Sequence, residues 1–177
     1  SLADKIALCA GADFWRSKGF LQYGIPSVTV CDGPHGLRYQ KADEDMLGIH
    51  QSMPATCFPS ASLTGCSWDE ELLQEIGEAI GEEAASYGVS AVLGPGLNIK
   101  RNPLCGRNFE YFSEDPCLSG KLTASWVRGA QSTGASACLK HFAGNSQEYK
   151  RFSSNDEIDE RTLREIYLTG FETAVKE

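Results

Sequence analysis

The chain of 177 residues is 41% hydrophobic and 23% charged, and its 24 acidic against 16 basic residues give a net charge of −8. These values are typical of a protein with one ordinary core, and the acidic balance without a Lys/Arg cluster argues against a nucleic-acid surface. No apolar run approaches the roughly 18 residues of a membrane span. We therefore expect neither a nucleic acid nor a membrane as a partner.

The first third of the chain predicts a short helix, a strand and a long loop. Residues 1–9 are typical of a helix that stops at Gly11, and residues 27–31 of a strand that follows Pro26. Residues 32–36 are a loop by composition. Residues 39–66 form a long irregular stretch, which predicts a functional loop over one face of the fold, with His50 as an ordinary loop residue.

An amphipathic helix follows this loop. Ser67 and Glu70 have the spacing of a capping box, and Gly88 is placed to end the helix. We interpret Trp68, beside the cap, as a packing residue rather than a platform for a sugar ring. The side chains predicted to face inward are Leu72, Leu73, Ile76, Ala79, Ile80, Ala84 and Tyr87.

Two more strands and two more helices follow. Strands are predicted at 89–93 and 135–139, and Asp115 before Pro116 predicts the start of a helix that runs to about residue 132. Gly134 closes that helix, and the last one begins near Asp159. The inward-facing residues are predicted to be Leu122, Trp126 and Ala130 in the first of these helices, and Leu163, Ile166, Tyr167, Phe171, Ala174 and Val175 in the last.

The order strand, loop, helix, repeated three times, predicts an α/β fold with a parallel sheet. Three strands cannot close an eight-stranded barrel, and the sequence stops at Glu177 in or just after a helix. We therefore expect the first part of a larger protein. Its open sheet edge would make the isolated chain self-associate, for example as a homo-oligomer, or depend on the remainder of the protein.

The seven cysteines are an odd number, and none lies in a Cys-X-X-Cys pair or beside a histidine cluster. This pattern is typical of buried or half-buried thiols and predicts no metal site. It favours a reducing, cytoplasmic setting, with secretion left open because a signal peptide could have been removed. No cofactor is predicted, since Gly94-Pro95-Gly96 is too short and Pro-blocked for a dinucleotide loop and no GxxxxGK occurs.

Polar side chains follow each of the three predicted strands, and parallel strands bring such ends to one face. A carboxylate, several cations and an imidazole suit a ligand rich in hydroxyls. The candidates are Asp32, His35 and Arg38 after the first strand; Asn98, Lys100, Arg101, Arg107 and Glu110 after the second; and Lys140, His141, Asn145, Glu148 and Arg151 after the third.

Each of these residues also has a structural interpretation. Asp32 before Gly-Pro could be a turn residue, Arg107 could form a structural ion pair, and His141 could be a satisfied core histidine. Lys140 directly follows four residues that carry no charge at neutral pH, and it needs a partner if it is buried.

Taken together, the motifs resemble the N-terminal domain of glycoside hydrolase family 3, in its β-glucosidase branch. The motifs are Asp32-Gly33-Pro34-His35-Gly36-Leu37-Arg38, Gly94 to Pro103 with Gly106-Arg107-Asn108-Phe109-Glu110 and Ser113-Glu114-Asp115-Pro116, Lys140-His141-Phe142-Ala143-Gly144-Asn145, and Asn155 to Tyr167. They occur in the family's order along nearly the whole chain. Residues 143–148 lack the longer His/Gly/Asp-bearing loop of the β-N-acetylglucosaminidase branch.

The resemblance implies a partial (β/α)8, TIM-like barrel of three βα units, spanning residues 1–177. The rest of the barrel and a second α/β sandwich domain would lie outside this chain. The implied activity is retaining hydrolysis of terminal β-D-glucosyl residues from a β-glucoside or oligosaccharide. The lysine–histidine segment is also one that often contains non-proline cis peptide bonds.

The resemblance also assigns the site. Asp32, Arg38, Arg107, Lys140, His141 and Arg151 match positions that surround the sugar in subsite −1. Retaining hydrolysis needs two carboxyl groups about 5–5.5 Å apart. The family's nucleophile lies in a Ser-Asp-Trp-like motif, which does not occur in this sequence, and its acid/base comes from a later segment. We therefore predict no catalytic carboxylate in this chain.

Two other hypotheses stay open at this point. The chain could be a non-catalytic sugar-binding or complementing fragment, inactive alone, or a purely structural part of a barrel. If Asp32 and Lys140 serve the sugar, Asp32→Ala and Lys140→Ala should abolish most activity of the full enzyme and leave stability nearly intact.

Overall fold

The computed structural model describes residues 1–40 and 51–177. Its helices are α1 (Leu2–Leu8), α2 (Ala61–Thr64), α3 (Glu70–Ser86), α4 (Pro116–Ser132), α5 (Glu160–Thr162) and α6 (Thr169–Lys176), with a π-helix at Leu163–Tyr167 between the last two. Its strands are β1 (Val30–Asp32), β2 (Ala91–Leu93) and β3 (Ser136–Ala137). Short 3-10 helices lie at Leu21–Tyr23, Gly65–Ser67 and Asn108–Glu110.

The three strands form one parallel sheet in the order β1-β2-β3. Asp32 is in register with Leu93, and a parallel bridge between Gly96 and Lys140 continues the alignment past the ends of β2 and β3. The predicted parallel α/β fold is confirmed, and over the described residues the sheet is open rather than a closed barrel. The carboxyl ends of all three strands meet at one edge.

The first strand is shorter and later than predicted. It begins at Val30 and includes Asp32, whereas Thr29 forms an antiparallel bridge with Arg16. Val28 is also hydrogen-bonded to Ser17, whose backbone N–H donates to the Val28 carbonyl at 2.9 Å. Competing pairs with residues 15–17 therefore keep residues 27–29 out of the named strand.

The start of α3 corrects the predicted cap. Asp69, not Ser67, is the N-cap, and its Oδ1 accepts a hydrogen bond from Leu72 N at 3.0 Å. The Ser67 hydroxyl instead donates to Thr64 O at 2.6 Å. Asp115 caps α4 as predicted. Gly88 and Gly134, with φ of 69° and 92°, follow α3 and α4 in the left-handed region.

Two glycines form the contact between α3 and α4. Gly77 lies against the carbonyl of Trp126 and Gly129 against that of Gln74, so closely that a Cβ at either glycine would fall well under 3.0 Å from backbone. The helices cover the sheet with Leu73, Ile80 and other buried side chains. The close helix pair is possible because these positions have no side chain.

Several predictions of burial were wrong. Leu72 is exposed at the rim of α3, and Trp68 and Val175 are 75% and 79% exposed, so Trp68 does not pack in the core of this chain. The core side of α3 is made partly by Gly77 and Gly81, which a search for large apolar residues overlooks. Leu122, Trp126, Ala130, Tyr167 and Phe171 are buried as expected.

The cysteines are also mostly more exposed than predicted. Cys31 and Cys105 are buried, and the other five lie at helix ends, in loops or in first turns, where they are exposed. Burial raises the pKa of the Cys31 thiol to about 11. No group of His, Cys, Asp and Glu that could hold a metal occurs within residues 1–40 and 51–177.

The long predicted loop is only partly irregular. Residues 51–60 have no regular structure, but α2 and a 3-10 helix occupy 61–67. His50 lies outside the described residues. In the part of the chain that the structure describes, no helix is long and apolar enough to cross a bilayer.

Candidate active site

Lys140 and Asp32, 108 positions apart in sequence, form an ion pair at the carboxyl edge of the sheet. The Lys140 Nζ lies 2.9 Å from Asp32 Oδ1 and 3.4 Å from Glu110 Oε2. The Lys140 side chain is 13% exposed and that of Asp32 36%. The partner that burial of Lys140 requires is thus a pair of carboxylates, of which Asp32 reaches solvent.

Arg107 and Glu110 lie in the loop that follows β2. A 3-10 turn, Asn108–Glu110, places the Arg107 Nε on Glu110 Oε1. Burial acts to lower the pKa of the Arg107 guanidinium, but the hydrogen bond and charge of Glu110 outweigh it, so that pKa is raised. Arg107 is therefore a structural ion-pair residue and a cavity-lining cation at once.

His141 lies between Arg107 and Tyr111. Arg107 Nη2 is 3.0 Å from His141 Nε2, and the Tyr111 hydroxyl is 2.7 Å from Nδ1. Because a guanidinium can only donate, Nε2 must accept and the proton of the neutral ring lies on Nδ1, which donates to Tyr111 Oη. Burial, and then the charge of Arg107, lower the pKa of His141 to about 4, so the imidazole is neutral near pH 7.

The loop after Lys140 places the third group of polar residues beside Arg107 and Tyr111. Glu148 is 3.5 Å from Arg107 Nη1 and 3.1 Å from Arg151 Nη1. Asn145 donates to Tyr111 Oη at 2.9 Å, while Asn98 holds the loop by donating to the Asn145 carbonyl at 3.0 Å. The Arg151 guanidinium lies over the Phe152 ring, 4.7 Å from its centroid.

Two adjoining cavities share Asp32 and Arg107. One, of about 580 Å³, is lined by Asp32, Leu93, Arg107, Cys138, Lys140, His141, Asn145, Arg151 and Phe152. The other, of about 480 Å³, is lined by residues 32–38 and 55–57 with Arg107, Phe109 and Glu110. The structure therefore brings all six predicted site residues to one region, with Arg38 in the second cavity and Lys140, His141 and Arg151 in the first.

Two polar residues that follow the strands, His35 at the wall of the second cavity and Lys100, bond to residues of α2. His35 Nε2 accepts from Ala61 N at 2.9 Å and so fixes the start of α2. Lys100 Nζ donates to Ser62 Oγ at 2.8 Å, away from the two cavities. Sequence reasoning missed Tyr111, whose position beside the Arg-Asn-Phe-Glu motif was the available signal. The peptide bonds Lys140–His141 and Phe142–Ala143 are cis, as the resemblance implies.

We expect acid to destabilise the fold through His141. An unfolded histidine takes up its proton near pH 6.5, whereas His141 does so only near pH 4. Its contribution to stability is therefore complete above pH 6.5 and is lost as the pH falls toward 4. His35, whose pKa burial also lowers, acts in the same direction.

Urea unfolding midpoints of the wild-type protein and His141→Gln, measured from pH 7.5 to 4.5, test this expectation. The variant should lose less stability over that range than the wild type. Identical pH slopes for the two proteins would show that His141 is not the group responsible.

Comparison with known proteins places this geometry in a family. The profile of the "Glycosyl hydrolase family 3 N terminal domain" matches residues 27–177. The chain is 57% identical over 176 residues to the thermostable beta-glucosidase B of Acetivibrio thermocellus, covering 99% of this chain and 23% of that protein. It is 48% identical over 177 residues to an exo-alpha-(1->6)-L-arabinopyranosidase of Bifidobacterium longum, again covering 99% and 23%.

Solved structures agree with these matches. The beta-glucosidase of Kluyveromyces marxianus in complex with glucose superposes with a TM-score of 0.92 at 42% identity, covering 99% of this chain and 20% of that one. Beta-glucosidase 3B of Thermotoga neapolitana, in complex with alpha-D-glucose, gives 0.89 at 41% identity, covering 99% and 26%. The chain thus spans about a quarter or less of these relatives. It belongs to glycosyl hydrolase family 3, and its fold is that of the family's TIM-barrel-like N-terminal domain.

Proposed function

We propose that this chain supplies the sugar-holding part of subsite −1 in a retaining β-glucosidase. The nucleophile and the general acid/base would come from the rest of the protein, which would complete the barrel and add a second α/β sandwich domain. The observation that carries the proposal is the Asp32–Lys140 pair. Its Asp32 carboxylate is partly exposed to a cavity that is also lined by Arg107, His141 and Arg151.

The cavity offers matched donors and acceptors to a sugar. Asp32 can accept hydrogen bonds from two adjacent hydroxyls, while Lys140, Arg107 and Arg151 can donate to the hydroxyl oxygens. The carboxylates of Asp32, Glu110 and Glu148 face these three cations within 4.0 Å. A charge-balanced cluster of this kind suits a neutral ligand better than a phosphate or a carboxylate.

The relatives support a terminal glucosyl unit as the substrate. The 57% identical relative is a beta-glucosidase, and the two similar structures described above contain glucose. A second candidate is an α-L-arabinopyranosyl unit, which the 48% identical relative favours. Both units are six-membered pyranose rings with adjacent hydroxyls, so Asp32 and Lys140 could hold either.

Assaying the full-length protein on aryl β-D-glucoside and aryl α-L-arabinopyranoside tests the proposal. We expect release of the aryl group from the glucoside at the higher kcat/KM, with the β-anomer of glucose as the first product by NMR. Absence of activity on every β-glycoside would refute the glucosidase. The isolated 177 residues should bind glucose in the millimolar range or not at all, and tighter binding would favour the non-catalytic sugar-binding alternative.

We also propose a cytoplasmic location, which the odd number of cysteines favours, and a role in carbohydrate metabolism, which the proposed glycosidase activity implies. Exposed apolar side chains at the end of the described fold, among them Phe142 at 76% and Val175 at 79%, would pack against the remainder of the protein. A homo-oligomer is the other arrangement that could cover them.

A further inference from the structure

Glu110 is a buried carboxylate that bonds to two cations of the site. Its side chain is 4% exposed, and each of its oxygens has a different partner. Oε1 accepts from Arg107 Nε, and Oε2 lies 3.4 Å from Lys140 Nζ. Glu110 thus pairs with both cations from the wall of the cavity that Asp32 and Arg107 also line, with its own side chain almost fully buried.

The backbone holds this carboxylate in place. Glu110 ends the 3-10 turn that starts after Arg107, and its amide donates to the Arg107 carbonyl at 3.1 Å. Ser62 Oγ donates to the Asn108 carbonyl at 2.9 Å, which ties the turn to α2. The Glu110 carbonyl also lies directly over Gly96, where a Cβ would clash with it. The carboxylate therefore has little freedom to follow its cations.

The distances around Lys140 indicate what this fixed charge does. Lys140 Nζ is shared between Asp32, at 2.9 Å, and Glu110, at 3.4 Å. Without the second carboxylate, the ammonium would pair with Asp32 alone and would be free to approach both of its oxygens, including the one that a sugar hydroxyl needs. Arg107 would lose the partner of its Nε and would turn toward Glu148, its other carboxylate.

We propose that Glu110 is a positioning residue for sugar binding. It does not contact the sugar. It holds Lys140 and Arg107 in place, so that Lys140 occupies only one oxygen of Asp32 and Arg107 keeps its Nη groups beside the cavity, next to His141 and Glu148. This inference rests on the proposed function, because it assigns Glu110 its effect through the sugar-binding side chains.

The test uses Glu110→Gln, Glu110→Asp, Asp32→Asn and the double variant Asp32→Asn/Glu110→Gln in the full-length protein. The readouts are kcat and KM for an aryl β-glucoside and the inhibition constant for glucose. We expect Glu110→Gln to raise KM and the glucose inhibition constant about 30-fold, with a smaller change in kcat, since a charged hydrogen-bond partner is lost. Glu110→Asp retains the charge, so it should raise KM and the glucose inhibition constant less than Glu110→Gln does.

The double variant separates positioning from a merely structural role. If Glu110 acts through Asp32, its effect should shrink to less than about fivefold in the Asp32→Asn background, because coupled residues are not additive. Glu110→Gln with wild-type KM and inhibition constant, or with a full additive loss in the double variant, would overturn the inference. Should Glu110→Gln not fold, Glu110→Asp alone and with Asp32→Asn gives the same comparison.

The wild-type arm distinguishes the two proposals. A wild-type protein without activity or glucose binding refutes the proposed function and with it the role of Glu110. An active wild type with unaffected Glu110 variants refutes only the role of Glu110.

Discussion

Replacing Gly129 with alanine is expected to destabilise the protein by about 3 kcal/mol. In an unconstrained helix the same substitution would stabilise by about 1 kcal/mol, because alanine is the better helix former. Here the added Cβ would meet the backbone of α3 at Gln74 and Glu78, well under 3.0 Å away. A backbone carbonyl cannot rotate aside like a side chain, so the two helices must separate.

Urea or thermal unfolding of the full-length protein measures this effect. Gln131→Ala, at an exposed position of the same helix, is the control and should change stability by less than about 0.5 kcal/mol. Gly77→Ala should act like Gly129→Ala, because Gly77 lies equally close to the Trp126 carbonyl. A stability unchanged or raised by Gly129→Ala would contradict the close helix contact.

Replacing Asp32 with asparagine in the full-length protein is expected to lower kcat/KM on the preferred glycoside about a thousandfold. Asp32 loses its charge while its shape is kept, and charged hydrogen bonds contribute about 1.5–3 kcal/mol each. Because the Asp32 side chain is 36% exposed and Lys140 keeps Glu110 as a second partner, the melting temperature should change little.

The matched control is Glu82→Gln, the same carboxylate-to-amide change on the exposed side of α3. It should leave both kcat/KM and stability near wild type. A fall of less than tenfold for Asp32→Asn would argue that Asp32 is only a turn residue. Unfolding of the variant would argue for a structural ion pair.

The structure changes the expectation for Lys140→Ala. This substitution would leave Glu110, with 4% side-chain exposure, paired only with Arg107. Removing one partner of a buried pair is strongly destabilising, so Lys140→Ala should lose both activity and stability. Asp32→Asn therefore separates sugar binding from folding more cleanly than either alanine variant.

Local signals predicted the helices well. Asp115 with Pro116, and Gly88 and Gly134 after the last turns, act through hydrogen bonds and backbone conformation within a few residues, so the sequence around them is sufficient. The capping-box spacing of Ser67 and Glu70 predicts Ser67 as the cap of α3, and this prediction is wrong. Ser67 bonds back to Thr64, and this left Asp69 as the cap.

The sequence predicted which polar residues collect at the sheet edge, but not which of them pair with one another. The rule that parallel strands end at one edge placed Asp32 and Lys140 together, although 108 positions separate them. The same rule also included Lys100, which the structure places on Ser62. Loops after strands fold back in directions that strand order does not determine.

What the sequence by itself determined is the set of chemical groups and the edge of the sheet at which they collect. Helix periods and the cap of α4 are local properties and strand order is a topological one, so the sequence contains the signals that determine them. Only the tertiary structure decided that Glu110 pairs with both Lys140 and Arg107, that Arg107 determines the tautomer of His141, and that glycines rather than large side chains make the α3–α4 contact. Those arrangements depend on how closely distant backbones approach, and packing of the whole fold determines that distance.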